Sequence, residues 1–95
     1  MINSKTIQYF SREEFQDPLH GPESGDLIED RLVLMLDRLR DETGWPIVVH
    51  WQAGGAVDVD GRHGHTAGSY HLGSRGCKAA DWHFNIDAPH RVSIL

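Results

Sequence analysis

Residues 69–84 decide the fold, and they have the sequence Ser-Tyr-His-Leu-Gly-Ser-Arg-Gly-Cys-Lys-Ala-Ala-Asp-Trp-His-Phe. His71 lies in a glycine-rich turn, and Asp81 begins an apolar, aromatic run that predicts a buried strand. Gly73 and Gly76 allow the loop to turn back, so that His71 and Asp81 can approach one ion. Zinc binds imidazole and carboxylate, and a catalytic zinc takes three protein ligands and a water. The stretch therefore predicts a metal site.

The strand after residue 80 determines which side chains share a side with Asp81. Successive side chains in a strand point to opposite faces, so Asp81 and His83 face one side while Trp82 and Phe84 face the other. His83 is therefore a candidate third metal ligand. Two alternatives stay open, a histidine that hydrogen-bonds a ligand and an ordinary strand histidine.

The motif carries a family resemblance. Ser-x-His-Leu, a glycine and Ala-Ala-Asp resemble the signature of the zinc D-alanyl-D-alanine carboxypeptidases and phage endolysin L-alanyl-D-glutamate peptidases, which share the hedgehog/DD-peptidase fold. The family's metal-binding histidine and aspartate match His71 and Asp81, with a longer spacing that corresponds to an insertion around residues 74–76. The segment Tyr-Phe-Ser-x-x-Glu-Phe at residues 9–15 also resembles the family's N-terminal element.

The resemblance implies an α+β, hedgehog/DD-peptidase-like fold, with a small antiparallel sheet packed with N-terminal helices in one domain over residues 1–95. It implies a zinc metallopeptidase that hydrolyses D-amino-acid-containing peptides of bacterial peptidoglycan. In the family a later strand supplies a third ligand, a histidine, and an acidic general base, but no acidic residue follows Asp87 here. We expect a shortened form of a longer enzyme; the alternative is a complete short protein whose third ligand is local, such as His83.

Substrate recognition departs from the family pattern. The family has a Ser-Gly-Tyr-Arg segment whose arginine holds the substrate carboxylate, whereas residues 49–52 are Val-His-Trp-Gln. Gln52 donates only neutral hydrogen bonds, where arginine offers a charged fork. Arg62 or Arg75 could substitute from a loop, and Ser69 is expected to hydrogen-bond within the motif loop. The alternative function is a non-catalytic, metal-stabilised module that binds the cell wall or forms part of a phage particle.

Upstream of the motif, one helix and one strand are the main predicted core elements. Apolar residues recur at spacings of three and four from Asp26 or Leu27 to Thr43, which predicts a helix capped by Gly44. The β-branched run at residues 46–51 predicts a central strand. The helix residues expected to face the core are Ile28, Leu32, Met35, Leu36 and Leu39.

Local patterns predict the remaining segments. Ser11 and Glu14 have capping-box spacing, and Phe10 is placed to contact Phe15, which predicts a helix start. The segment after Asn85 predicts a turn and a short helix.

The glycine-rich segment at residues 53–68 predicts a long loop, or a hairpin around residues 60–61 with residues 56–59 as one arm. His63 and His65 in this segment could chelate a metal, but such a pair is more often simply exposed.

Composition bounds the remaining possibilities. The chain has 95 residues, 39% hydrophobic and 24% charged, with a net charge of -5, so nothing indicates nucleic-acid binding. We expect Cys77 to be a small half-buried residue. A rival interpretation is that the pKa of the Cys77 thiol is lowered beside Lys78 and that the chain is a cysteine hydrolase. We expect a monomer without a membrane span, made in the cytoplasm without a signal peptide, that meets the cell wall only if it is exported or released.

Overall fold

The computed structural model describes residues 6–85 of the chain. It contains one α-helix, α1 at Asp30–Thr43, and two strands, β1 at Ile47–Val49 and β2 at Trp82–Phe84. The strands pair antiparallel, with Val48 opposite His83. Short 3-10 helices lie at Arg12–Phe15, Pro22–Leu27 and Gly73–Arg75. These helices and antiparallel strands confirm the general α+β class.

Helix α1 begins later than the periodicity predicts. Pro22–Leu27 forms a 3-10 turn, and Ile28 and Glu29 are extended, with ψ angles of 140° and 130°. The helix end is confirmed, because Gly44 has a left-handed φ of 70° and its N–H donates to the carbonyl of Arg40. Glycine adopts this conformation without the steric penalty that other residues incur.

The buried face of α1 differs from the predicted one at one residue. Val33, Leu36 and Asp37 are buried, whereas Met35 is 54% exposed, so the assignment of Met35 to the core is wrong. The physical reason is the inward position of Asp37, whose carboxylate accepts the backbone N–H of Tyr9 at 2.8 Å. Residues at i, i+3 and i+4 share a helix face, which turns position 35 to solvent. The other predicted core residues of this region are buried or packed against the core: Ile28, Leu32, Leu36 and Leu39.

The sheet is shorter than predicted. The strand predicted over residues 46–51 is present as β1, but it has three residues and pairs with β2 alone among residues 6–85, so it is not a central strand. The hairpin around residues 60–61 is also absent from the described part of the chain. Asp58 instead forms a parallel bridge to Leu72, because its N–H donates to the carbonyl of His71 and its carbonyl accepts the N–H of Gly73.

The N-terminal segment closes the core. The N–H of Ser11 donates to the Glu14 carboxylate at 2.8 Å, and the rings of Phe10 and Phe15 are 5.6 Å apart, as the capping pattern predicts, although the turn is 3-10 rather than α-helical. The turn and helix predicted after Asn85 lie outside the described residues. Within residues 6–85 no helix has the length and apolar character needed to cross a bilayer.

Candidate functional site

His71 and Asp81 lie together. The Nε2 atom of His71 is 3.7 Å from a carboxylate oxygen of Asp81. The other ring nitrogen of His71, Nδ1, is 2.9 Å from the carbonyl oxygen of Ala56. A carbonyl only accepts hydrogen bonds, so Nδ1 carries a proton, and in the neutral form of the ring the lone pair of Nε2 faces Asp81. That form of the ring and the carboxylate could share a cation.

The separation of these two atoms suits a shared zinc ion. Zinc lies 2.0–2.2 Å from nitrogen and oxygen ligands, so two tetrahedral ligand atoms are about 3.4 Å apart. A metal-bound histidine commonly donates its other N–H to a backbone carbonyl, which fixes its tautomer and ring orientation. Ala56 provides this contact for His71. The donor types, their spacing and the tautomer of His71 therefore fit a metal ion at two of its ligand positions.

The backbone around the pair is held by close approaches at the glycines. Gly76 has a φ of 86°, and a Cβ at Gly73 would lie 2.9 Å from the carbonyl oxygen of Val59. The N–H of Asp81 donates to the carbonyl of Gly55 at 2.6 Å, and the carbonyl of Asp81 accepts the N–H of His50 at 2.8 Å. Gly73 and Gly76 thus let the loop return to the sheet, as the sequence predicts.

The two faces of the sheet differ in character. Ile47 and Val49 are buried, with Trp82 and Phe84 packed against the same core. The register places the alternate residues, Val48, His50, Asp81 and His83, on the opposite face. The predicted alternation of β2 is therefore confirmed.

His83 shares its face with Asp81 but contacts a different residue. Its Nδ1 atom lies against Nε2 of His50, and the two ring centroids are 4.7 Å apart. Within residues 6–85, the groups of three or more donors that converge within 4.8 Å include neither His71 nor Asp81. The described chain thus brings two of the predicted ligands together, and places His83 beside His50 instead.

A second set of acidic and histidine side chains lies behind the motif loop. The carboxylates of Asp17 and Asp58 are fully buried and contact histidines: His63 lies 2.7 Å and His20 4.0 Å from Asp17, and His65 lies 2.8 Å from Asp58. The ring of His65 in turn stacks on His71, with centroids 4.3 Å apart and planes 11° apart. His63 and His65 therefore contact different aspartates.

The environment of Asp17 sets its charge. Burial alone raises the pKa of Asp17, but hydrogen bonds from His63 and from the N–H groups of Val59 and Leu19 outweigh burial and hold that pKa below its ordinary value. An ionised carboxylate without solvent needs such donors. Asp17 is thus a charged internal anchor for the loop that contains His63.

Two groups of donors converge closely enough to be considered for a metal. They are Asp17 with Asp58 and His63, and Asp17 with His20 and Asp60. The sequence interpretation missed both aspartates of the first group. Asp58 lies between Val57 and Val59, and a charged residue inside an apolar run could have indicated a buried functional group. No comparable sequence signal marks Asp17.

Cys77 is 1% exposed, and its pKa is raised by burial and then by the charges of Asp58 and Asp17. The suggestion of a lowered pKa is therefore wrong, because burial and both nearby carboxylates raise the pKa of the Cys77 thiol. A raised pKa keeps the thiol protonated near neutral pH, which argues against a nucleophilic role.

The candidate substrate-binding residues are dispersed. Gln52 is exposed in the turn after β1. Arg62 forms an ion pair with Asp60, and the guanidinium of Arg75 lies over the ring of Tyr70. Ser69 accepts the N–H of His71 at 3.3 Å, which is the loop hydrogen bond that the sequence suggested.

Comparisons with family models, curated proteins and solved structures gave no match to this chain.

Proposed function

We propose that the chain is a zinc-dependent metallopeptidase that hydrolyses D-amino-acid-containing peptides of bacterial peptidoglycan, with His71 and Asp81 as metal ligands. The observation that carries the proposal is the approach of Nε2 of His71 to the Asp81 carboxylate at 3.7 Å. The contact of Nδ1 with the carbonyl of Ala56 supports it, because a metal-bound histidine commonly donates its other N–H to a backbone carbonyl. The reaction and substrate class come from the motif's resemblance to zinc peptidases.

Each side chain would have a separate role at the site. Zinc at this site would lower the pKa of a bound water to about 7 and polarise the scissile carbonyl. His71 would contribute a neutral nitrogen, and Asp81, whose side chain is 62% exposed, would contribute negative charge at a position open to a peptide. Gln52 and Arg62 are the proposed contacts to the substrate carboxylate; Arg62 would exchange its ion pair with Asp60 for it. His83 would have to turn away from His50 to become the third ligand.

One observation favours a second candidate, a non-catalytic metal-stabilised module that binds the cell wall or belongs to a phage particle. Within residues 6–85, no third donor converges on the pair of His71 and Asp81. A two-ligand site can hold a metal without completing the catalytic set, which takes three protein ligands. In this candidate the metal would stabilise the fold, and peptide binding would occur without turnover.

The deciding experiment combines metal content with hydrolysis. Wild type, His71→Ala and Asp81→Asn would be loaded with zinc, and cleavage of a D-alanyl-D-alanine peptide and an L-alanyl-D-glutamate peptide would be followed by chromatography. The proposal expects both variants to lose one zinc equivalent and all turnover. Cys77→Ala is the control and should keep both.

The outcomes separate the two candidates. Turnover that survives both ligand substitutions would refute the peptidase proposal. Zinc that is bound through His71 and raises the melting temperature, with no cleavage of either peptide, would instead favour the non-catalytic module.

A further inference from the structure

The exposed face of the sheet carries a pair of imidazoles that contact each other rather than His71 or Asp81. His50 follows β1, and His83 is the middle residue of β2. Both side chains are exposed, and Nε2 of His50 contacts Nδ1 of His83. The rings are tilted by 53° with centroids 4.7 Å apart, so they meet through nitrogen atoms rather than by stacking.

The backbone explains why these two rings meet. The N–H of His50 donates to the carbonyl of Asp81 at 2.8 Å, which extends the ladder by one pair beyond β1. His50 is thus opposite Asp81, and His83 is its diagonal neighbour on the same face. Diagonal neighbours in an antiparallel sheet lie within reach of long or aromatic side chains. The pairing therefore follows from the register.

Two converging imidazole nitrogens form a bidentate site for a divalent transition metal. Histidine is the commonest metal ligand, and imidazole suits zinc, copper and nickel. Two nitrogens bound to one tetrahedral zinc lie about 3.3 Å apart, a separation that exposed rings reach by small side-chain rotations. Water supplies the remaining positions, because this face is open to solvent.

We propose that His50 and His83 bind a divalent transition-metal ion of their own, separate from the site of His71 and Asp81. Both rings are exposed, so a cation can reach the converging nitrogens from solvent. Asp81, opposite His50 on the same face, adds a carboxylate whose negative charge favours cation binding. This inference does not depend on peptidase activity.

The test is zinc titration of the full chain by isothermal calorimetry after metal removal with a chelator. Wild type should bind two zinc ions. His50→Gln and His83→Gln should each lose one equivalent and keep the other, and His71→Ala should lose the other one. Val48→Thr, on the same face and opposite His83, is the control for disturbance of the sheet and should keep both.

Each outcome decides the matter. Equal stoichiometry in wild type, His50→Gln and His83→Gln would overturn the inference. So would a single equivalent in wild type that is abolished equally by His83→Gln and His71→Ala, because that would be one shared site. A single equivalent that His83→Gln removes and His71→Ala retains would support the imidazole pair while removing the metal site of the proposed peptidase.

Discussion

Asp17 provides the sharpest test of how the loop behind the motif is held. Its buried carboxylate accepts hydrogen bonds from Nε2 of His63 at 2.7 Å and from the N–H groups of Val59 and Leu19, each at 2.9 Å. A buried donor left without its partner costs about 1–3 kcal/mol. Asp17→Ala leaves three part-buried donors without their acceptor, so we expect a loss of about 4 kcal/mol, allowing for water entry. Asp17→Asn keeps an acceptor oxygen and should cost about 2 kcal/mol.

These losses are large for a small chain, whose total stability is on the order of 5–14 kcal/mol at this length. Urea unfolding followed by the fluorescence of the three tryptophans would measure them. Asp60→Asn is the matched control, because Asp60 is partly exposed and paired with Arg62 at the surface, and it should change stability by less than about 0.5 kcal/mol. Equal losses of unfolding free energy in Asp17→Asn and Asp60→Asn would refute the reasoning.

The same carboxylate predicts a pH dependence. The pKa of Asp17 is lower in the folded chain than its ordinary value of 3.8, so the unfolded chain takes up the proton first as the pH falls. The contribution of Asp17 to stability is therefore present above about pH 4 and is lost as the pH falls through the folded pKa. Asp17→Asn should flatten the acid limb of a plot of unfolding free energy against pH, and an unchanged limb would contradict this assignment.

Two further predictions concern the core. Leu36→Ala should cost about 3 kcal/mol because Leu36 is fully buried, whereas Met35→Ala on the exposed side of α1 should cost less than about 0.5 kcal/mol in the same urea assay; equal costs would mean that the helix face is wrongly placed. Burial raises the pKa of Cys77 above its ordinary 9.0, so thiol reagents should label the native chain slowly and stability should fall as the pH rises above 9.0. Rapid labelling at neutral pH would contradict the burial of Cys77.

The elements that the sequence predicts well are those with a strong local signal. The end of α1 at Gly44, the alternation along β2 and the contact of Phe10 with Phe15 each follow from a short-range pattern. The approach of His71 to Asp81 was also predictable, because the glycines between them supply the turns that it needs.

The features that the sequence does not reveal depend on contacts between distant segments. Asp37 turns inward on α1 because it accepts backbone N–H groups from residues 8 and 9, and no periodicity within the helix encodes that contact. Asp17 reaches His63 across 46 positions. Asp58 forms its backbone bridge with Leu72, which lies in the motif loop, and not with a residue across the predicted hairpin. Long-range hydrogen bonding overrides local preference at each of these places.

The register of the two strands links the packing of the core to the position of the candidate ligands. A slip of one residue in strand pairing would exchange the two faces of β2, burying Asp81 and His83 and exposing Trp82 and Phe84. Burying an ionised carboxylate without partners is costly, and exposing two aromatic side chains adds to that cost. Trp82 and Phe84 therefore help to fix the register, and substitutions at either residue would displace the candidate ligands Asp81 and His83 on the opposite face.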